Sequence, residues 1–209
     1  MLKGFAAPAL LQTYEAERHP LAVRNTAYAK AFADSLGNYV PPPEIEDDTP
    51  AGAESRRRAG EYYAAHGRAE FNIPGITFGG RYDGSPAIHP DGTLPPPDKP
   101  NEYVPTACPG GRPPHLWMPD GRSLYDLFGF EWTLLRLGKS KGANRPRFPL
   151  LTVLDLESEE ARELYGADFV LVRPDQIVAW RSNSDAGLEV IIRKLCGFLP
   201  SASDRPTLA

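Results

Sequence analysis

The chain has 209 residues, of which 41% are hydrophobic and 24% are charged, and its formal net charge at pH 7 is −4. This composition supports a folded core and excludes a chain that is disordered throughout. The acidic balance also argues against nucleic acid as a partner, because proteins that bind nucleic acids need a basic face. The one dense basic run, at residues 56–58, is flanked by Glu54 and Glu61.

Neither a membrane nor an oxidising compartment is indicated. No apolar run approaches the roughly 18 residues that a membrane-spanning helix needs, so we expect no membrane partner. The two cysteines, Cys108 and Cys196, are far apart in the sequence. Free thiols in a reducing environment are the simplest interpretation, and a structural disulfide is the alternative. We therefore predict a cytoplasmic protein.

The first 38 residues are predicted to form a helical segment. Pro8 suits the first turn of a helix, and Gly37 is typical of a helix end. Pro20 lacks an amide hydrogen and should break or kink the helix near His19. Short alanine-rich helices of this kind are marginal alone, so we expect this segment to pack on a partner surface.

Residues 39–115 are predicted to combine one helix with a connector. Thr49 and Pro50 indicate the N-cap and first residue of a helix that should end at Gly67. Sixteen of the 23 prolines lie between Pro41 and Pro119. Such a stretch cannot be mostly helix or central strand, so we expect an extended, proline-rich arm.

Short strands are also predicted within the connector. Residues 73–81 have a strand-like pattern, and residues 87–89 indicate a second short strand. Turn-forming sequences follow both, at residues 82–86 and 89–92.

Residues 116–200 have the pattern of a small α/β domain, and residues 201–209 form a tail. Asp120 and Gly121 predict a tight turn, and Ser123 can cap a short helix. The further predicted elements are strands at 131–137, 150–156, 169–172 and 177–180, a helix at 159–165 that Gly166 ends, a polar crossover at 139–147, and a last helix that Asp185 caps.

This order indicates a parallel strand pair followed by an antiparallel hairpin and a terminal helix. It resembles the thioredoxin-like fold. The predicted fold class is therefore α/β, with a thioredoxin-like C-terminal domain preceded by helices and a proline-rich extended arm.

Thiol redox chemistry is not expected from this domain. Thioredoxins place a Cys-x-x-Cys pair after the first of these strands, where the helix dipole lowers the thiol pKa. Here that position is the sequence GKSKG at residues 138–142. The same stretch fails the spacing of a phosphate-binding loop, so we interpret it as a solvated loop. A thiol oxidoreductase would instead require Cys108 and Cys196 to approach within disulfide reach.

Other candidate sites are weak. His89, Cys108 and His115 could be proposed as zinc ligands, but neither a Cys-x-x-Cys pair nor a close histidine pair supports them. Cys108 as a nucleophile lacks a strand-to-helix elbow and a nearby orienting acid. No G-x-G-x-x-G unit marks a dinucleotide site. We therefore assign no catalytic, cofactor-binding or metal-binding residue.

Five segments stand in a distinctive order along the chain. They are LLQTYEAERHP at 10–20, YDGSPAI at 82–88, PTACPGGRPPH at 105–115, DGRSLYDLFG at 120–129 and LVRPDQIVAWR at 171–181. Their order and spacing resemble the class A flavoprotein monooxygenases, in the branch of phenol hydroxylase, 3-(3-hydroxyphenyl)propionate hydroxylase and the polyketide hydroxylases. In that family the first segment follows a flavin-binding motif, and the third precedes a thioredoxin-like domain.

The resemblance implies an enzyme that hydroxylates a phenolic ring with FAD, NAD(P)H and O₂. The family's adenosine-binding G-x-G-x-x-G and its flavin-binding Asp-Gly and Gly-Asp motifs are not recognised in this sequence, whose Asp-Gly pairs at 83–84, 91–92 and 120–121 belong to predicted turns. We therefore expect a C-terminal fragment that binds no cofactor alone and serves packing and assembly. It would be a truncated gene product, a split subunit or an expressed fragment.

The expected partner is the flavin and substrate domain of the same enzyme, and a homodimer is a further expected assembly. The helices of residues 8–37 would dock on that domain. Arg112 and His115, on the proline-rich arm, are candidates to contact it, and exposed loop residues are the alternative for each. A stand-alone, non-redox thioredoxin-like interaction module is the second interpretation of the whole chain.

Overall fold

A computed structural model describes residues 4–138 and 148–198, which fall into two compact units. Unit 1 comprises the described parts of Met1–His19, Gly80–Pro97 and Val104–Ala209, and unit 2 comprises Pro20–Gly79 and Asp98–Tyr103. The predicted crossover at 139–147 and the tail lie outside the described residues. No helix in the described ranges has both the length and the apolar character required to cross a membrane.

Unit 1 is built on a four-stranded mixed sheet. Its strands are β1 (Trp132–Arg136), β2 (Leu151–Asp155), β3 (Phe169–Val172) and β4 (Val178–Ser182). Their order across the sheet is β2-β1-β3-β4, with β1 parallel to β2 and β3 antiparallel to both β1 and β4. The predicted thioredoxin-like arrangement is confirmed.

The two faces of this sheet carry separate hydrophobic clusters. Neighbouring residues of a strand point to opposite faces, so Leu134 and Leu135 belong to different clusters. Helix α5 (Glu159–Tyr165) packs its Tyr165 into one cluster, and α6 (Leu188–Leu195) packs into the other. Each fully buried aliphatic side chain contributes about 1.5–3 kcal/mol, so the central strands anchor the unit.

The ends of these helices were predicted in part. Helix α5 ends at Gly166, as predicted, with a φ of 66° at that glycine, and the Ser158 hydroxyl caps its start. Helix α6 differs, because its N-cap is Gly187 and not Asp185. Asp185 instead accepts a hydrogen bond from the Leu188 amide through its backbone carbonyl. A glycine at φ 75° turns the chain into α6 without any side-chain cap.

The proline-rich arm covers the edge of β4. The Gly110 amide donates to the Val178 carbonyl at 2.8 Å, and the Val178 amide donates to the Gly111 carbonyl at 2.9 Å. The His89 amide donates to the Ala179 carbonyl, but residues 87–89 form a turn and loop and not the predicted strand. These bonds satisfy edge groups that would otherwise be open to pairing with another chain.

Helix α1 (Thr13–Leu36) follows a 3-10 turn that begins at Pro8. Of the break or kink predicted near His19, the break is wrong, because the helix continues through Pro20. Proline removes one intrahelical hydrogen bond, and the bonds on either side maintain the helix. Residues of α1 up to His19 belong to unit 1, and the later ones belong to unit 2.

Unit 2 contains the predicted helix α2 (Pro50–Phe71). The Thr49 hydroxyl accepts from the Gly52 amide, which confirms the N-cap. The helix continues past Gly67, where the sequence indicated its end. An interior glycine costs about 1 kcal/mol, which the flanking helix-forming residues offset.

The predicted strand at residues 73–81 is also wrong, because α3 (Pro74–Phe78) occupies its centre. Pro74 presets the backbone for the first helical residue. Gly75 lies so close to the carbonyls of Lys99 and Glu102 that an added Cβ would clash with both. Packing against these backbone groups overrides the strand propensity of Ile76 and Thr77.

Candidate functional site

A buried ion pair in unit 1 joins the first and last of the five sequence segments. Arg173 donates from Nη1 to Glu17 Oε1 at 2.6 Å and from Nη2 to Glu17 Oε2 at 3.0 Å. The Glu17 side chain is 5% exposed and that of Arg173 is 11% exposed. This two-bond geometry holds the start of α1 on the turn between β3 and β4.

The second segment completes this network. The Ser85 hydroxyl donates to Glu17 Oε1 at 2.6 Å and accepts from the Ala87 amide. The guanidinium groups of Arg18 and Arg173 both lie over the Tyr82 ring, with Cζ 5.4 and 5.2 Å from its centroid. Three segments that are distant in sequence therefore meet around one carboxylate.

The electrostatics agree with this geometry. Burial alone would raise the pKa of Glu17, and the hydrogen bonds from Arg173 and Ser85 outweigh it, so that its pKa is lowered. Burial would lower the pKa of Arg173, and its hydrogen bond to Glu17 together with the charge of Asp175 raises it. Both groups are therefore charged at neutral pH, and the network is an ion-pair clamp without a proton to exchange.

A cavity of about 350 Å³ lies beside this network. The Cys108 thiol at its wall contacts Arg81 Nη2 at 3.4 Å and Thr93 Oγ1 at 3.3 Å. Its two acidic residues are already paired, Asp83 with Arg81 and Asp91 with Arg181. The lining therefore offers no concentrated charge to a ligand, and its paired groups hold the arm in place.

The arm needs glycine at its closest approach to Arg81. A Cβ on Gly111 would lie 2.4 Å from Arg81 Nη1, and Gly110 has a φ of 94°. Arg81 Nη2 also donates to the Pro109 carbonyl at 2.7 Å. The glycine pair of the third segment is thus explained by packing and conformation.

The structure brings the two predicted docking residues together around Tyr125. The Arg112 Cζ lies 4.4 Å from the centroid of the Tyr125 ring. The His115 ring stacks on the same ring at 6.1 Å and meets Trp117 edge-on at 4.7 Å. We name Arg112, His115, Trp117 and Tyr125 the aromatic ladder. Trp117 is 68% exposed, so the ladder forms part of the surface.

A tight turn and a helix cap hold the residues of the ladder in place. Trp117 pairs with Ser123 across the tight turn at Gly121, which has a φ of 81°. Ser123 and Asp126 form a capping box at the start of α4 (Leu124–Leu127). The Ser123 hydroxyl also lies 3.0 Å from His115 Nε2. The predicted turn and cap therefore hold the ladder.

Neither thiol chemistry nor metal binding finds support in the described ranges. Both cysteines are buried and free, so the disulfide alternative is wrong. Burial raises the pKa of the Cys196 thiol to about 11, which suppresses the reactive thiolate. Among the described residues no group of three or more His, Cys, Asp or Glu side chains could hold a metal ion.

The starts of helices α5 and α6 do not fit a flavin pyrophosphate. A flavin pyrophosphate needs open backbone amides at a glycine-rich helix start. The first turn of α5 is capped by Ser158 and carries Glu159 and Glu160, and that of α6 carries Glu189. These carboxylates would repel a phosphate, so no step of flavin chemistry is assigned to these residues.

The residues of the ion-pair clamp are not predictable from the sequence. Glu17, Tyr82 and Arg173 lie in three of the five segments, but the sequence alone gives none of them a role. The available signal was their position inside the five segments. Residue spacing could not predict that Glu17 and Arg173 form an ion pair, because they are 156 positions apart in the sequence.

The amino-acid sequence of this chain is similar to those of known proteins. The family model described as aromatic-ring hydroxylase, C-terminal, matches residues 106–198. An FAD-dependent monooxygenase of Emericella nidulans is 31% identical over 95% of this chain. Phenol 2-monooxygenase of a Pseudomonas species is 30% identical over 88% of it. The chain covers 35% and 37% of these two relatives, so it spans about a third of their length.

Solved structures of flavin-dependent enzymes are also similar to this chain. The rebeccamycin biosynthetic enzyme RebC with reduced flavin is 34% identical, with a TM-score of 0.80 over 94% of this chain and 38% of that chain. The flavin-dependent monooxygenase PieE, in complex with FAD and substrate, is 25% identical with a TM-score of 0.70, over 94% of this chain and 41% of that one. Residues 106–198 match the C-terminal domain of the aromatic-ring hydroxylases, and the chain is similar over most of its length to FAD-dependent monooxygenases.

Proposed function

We propose that the chain is the C-terminal part of an FAD-dependent monooxygenase that hydroxylates a phenolic or other aromatic substrate with NAD(P)H and O₂. The observation that carries this proposal is the match over 88–95% of the chain to monooxygenases about three times its length. In the complete enzyme FAD supplies the oxygen-activating chemistry. This chain's own residues contribute packing and assembly and bind no cofactor alone.

The clamp gives this assembly role a physical basis. Glu17 and Arg173 fix the first residues of α1 to the thioredoxin-like domain, so that this domain holds a segment near the start of the chain. The partner we propose is the flavin and substrate domain of the same enzyme. A rigid C-terminal unit then presents a preformed surface to that domain and loses little conformational entropy on binding.

The decisive experiment uses the chain and the polypeptide encoded directly upstream of it. We expect the purified chain to retain no flavin absorbance after incubation with FAD and removal of free cofactor. We expect the upstream sequence, in frame or in an adjacent frame, to bind FAD and to assemble with the chain. The assembly should oxidise NAD(P)H and form a hydroxylated product from phenolic substrates.

Two results would oppose this proposal. Retention of FAD by the chain alone would show that it holds a flavin site of its own. A chain that finds no flavin-binding partner and supports no hydroxylation would favour the alternative, a stand-alone thioredoxin-like interaction module.

A further inference from the structure

The cavity beside the ion-pair clamp has a buried floor and an exposed rim, and its whole lining belongs to unit 1. The residues of the floor are Ser85, Ile88, Cys108 and Pro109. Exposed residues such as Asp83, Asp91 and Pro95 form the rim. The volume of about 350 Å³ lies at the lower end of the range for small-molecule sites, so the cavity suits a compact ligand.

The charged groups that line the cavity are paired within the described part of the chain. Arg81 pairs with Asp83, and Asp91 pairs with Arg181, which lies outside the lining. The Thr93 hydroxyl donates to Asp91 and accepts from Arg181. An anion would meet two carboxylates, and a cation would have to displace a guanidinium from one of them. The lining therefore selects an uncharged molecule.

The apolar part of the lining suits a flat aromatic ring. Three prolines, Pro90, Pro95 and Pro109, lie around the cavity together with Ile88. Proline side chains and aromatic rings pack on one another wherever proline-rich segments are recognised. The Arg81 guanidinium adds a cation, which the face of an aromatic ring attracts. An aromatic ring is therefore favoured over a saturated ring of the same size.

Asp83 provides an acceptor for a hydroxyl group on such a ring. Its side chain is 54% exposed, and Arg81 donates to it from Nε and Nη2. An ionised carboxylate has about four acceptor positions, so the two donors of Arg81 leave room for one more. A hydroxyl that donates to a carboxylate forms a stronger hydrogen bond than one that donates to a neutral group.

We propose that this cavity binds a small, uncharged phenol. The proline and isoleucine side chains contact the ring, and the Asp83 carboxylate accepts from the hydroxyl group. Binding of this kind depends on unit 1 alone and does not require that the chain acts within a monooxygenase.

Nuclear magnetic resonance of the isotope-labelled chain tests this site with phenol itself as the probe. At pH 7 phenol is uncharged, because a phenolic hydroxyl has a pKa of about 10. We expect saturable shifts of the Ser85, Thr93 and Cys108 amides, with a Kd of about 1 mM for a ligand of so few atoms. Cyclohexanol, which lacks the aromatic ring, and benzoate, which carries a charge, should each bind about 10-fold more weakly. Anisole, which lacks the donor hydrogen, should bind about fivefold more weakly.

Two identical substitutions at nearby prolines locate the binding. Pro95→Trp places an indole at the rim and should weaken phenol binding by about 10-fold, because it fills the space of the ligand. Pro97→Trp is the matched control, since Pro97 is exposed outside the lining and its change should alter phenol binding less than about twofold. Both positions are exposed, so thermal melts of the two variants should lie within a few degrees of the wild-type chain.

The results separate this site from the proposed function. Shifts that do not saturate, or that spread over the surface away from the cavity, would overturn the site as adventitious contact. Equal binding of phenol by Pro95→Trp, or of benzoate by the wild-type chain, would also overturn it. Saturable phenol binding by a chain that finds no flavin-binding partner would support the site and oppose only the proposed function.

Discussion

Glu17 and Arg173 form a buried, two-bond ion pair although 156 residues separate them. The pair ties the beginning of the described chain to the turn between β3 and β4. Loss of Glu17 would leave the poorly solvated Arg173 with Asp175 as its remaining charged partner, which costs more than the intact pair contributes. The clamp is therefore a sensitive point for the stability of unit 1.

Glu17→Gln should lower the free energy of unfolding of unit 1 by about 2 kcal/mol at neutral pH, because Arg173 keeps its pairing with Asp175 but loses that with the buried Glu17 carboxylate. Glu15→Gln is the control, since Glu15 is exposed in the same helix and its loss should cost less than about 0.5 kcal/mol. Chemical denaturation followed by the fluorescence of the buried Trp132 and Trp180 would measure both. Equal stabilities for the two variants would contradict the clamp.

The clamp also predicts a dependence on pH. The folded-state pKa of Glu17 lies below its ordinary value of 4.5, so its contribution is complete above that value and is lost as the pH falls through the folded-state pKa. The stability difference between wild type and Glu17→Gln should therefore be constant near neutrality and shrink in acid below pH 4.5. A difference that grows on acidification would reverse the sign and refute the assignment.

Local sequence signals account for much of unit 1. The strands were predictable because β3 is a short apolar run and β1 is mostly apolar, and residues of this kind that are buried on both faces are typical of central strands. The limits of α5 were predictable because Ser158 and Gly166 act on their immediate neighbours. Signals of this kind operate within a few residues of their target.

The remaining features depend on groups that are distant in sequence. The pattern around Ile76 and Thr77 favours a strand, yet Gly75 packs on the carbonyls of Lys99 and Glu102 and α3 forms. The clamp depends on a carboxylate whose partner no spacing rule could identify. Arg112 and His115 were identified, but the Trp117 and Tyr125 rings that join them became evident only with the fold.

Two glycines of α2 should respond in opposite ways to alanine. A Cβ on Gly52 would lie 2.1 Å from the Asp47 carbonyl oxygen and 2.7 Å from that of Glu44, whereas a Cβ on Gly60 meets nothing within 4 Å. Gly52→Ala should destabilise α2 by about 2 kcal/mol or more through this clash. Gly60→Ala should stabilise it by about 0.5–1 kcal/mol through helix propensity.

Hydrogen exchange of the α2 amides would report these changes locally, without contribution from unit 1. The two variants serve as controls for each other, because they make the same chemical change in one helix. Faster exchange in Gly60→Ala, or unchanged exchange in Gly52→Ala, would show that the neighbours of α2 are not arranged as described.

The cysteines should be inert in the folded chain. With a pKa of about 11, Cys196 has about one thiol in a thousand ionised at pH 8, and burial restricts reagent access further. In Cys108→Ser, which leaves Cys196 alone, alkylation should be slow in native buffer and complete in denaturant. Cys196→Ala leaves the buried Cys108 for the same comparison. Rapid native labelling of either thiol, or a disulfide formed between them under mild oxidant, would restore the thiol-dependent function that the fold argues against.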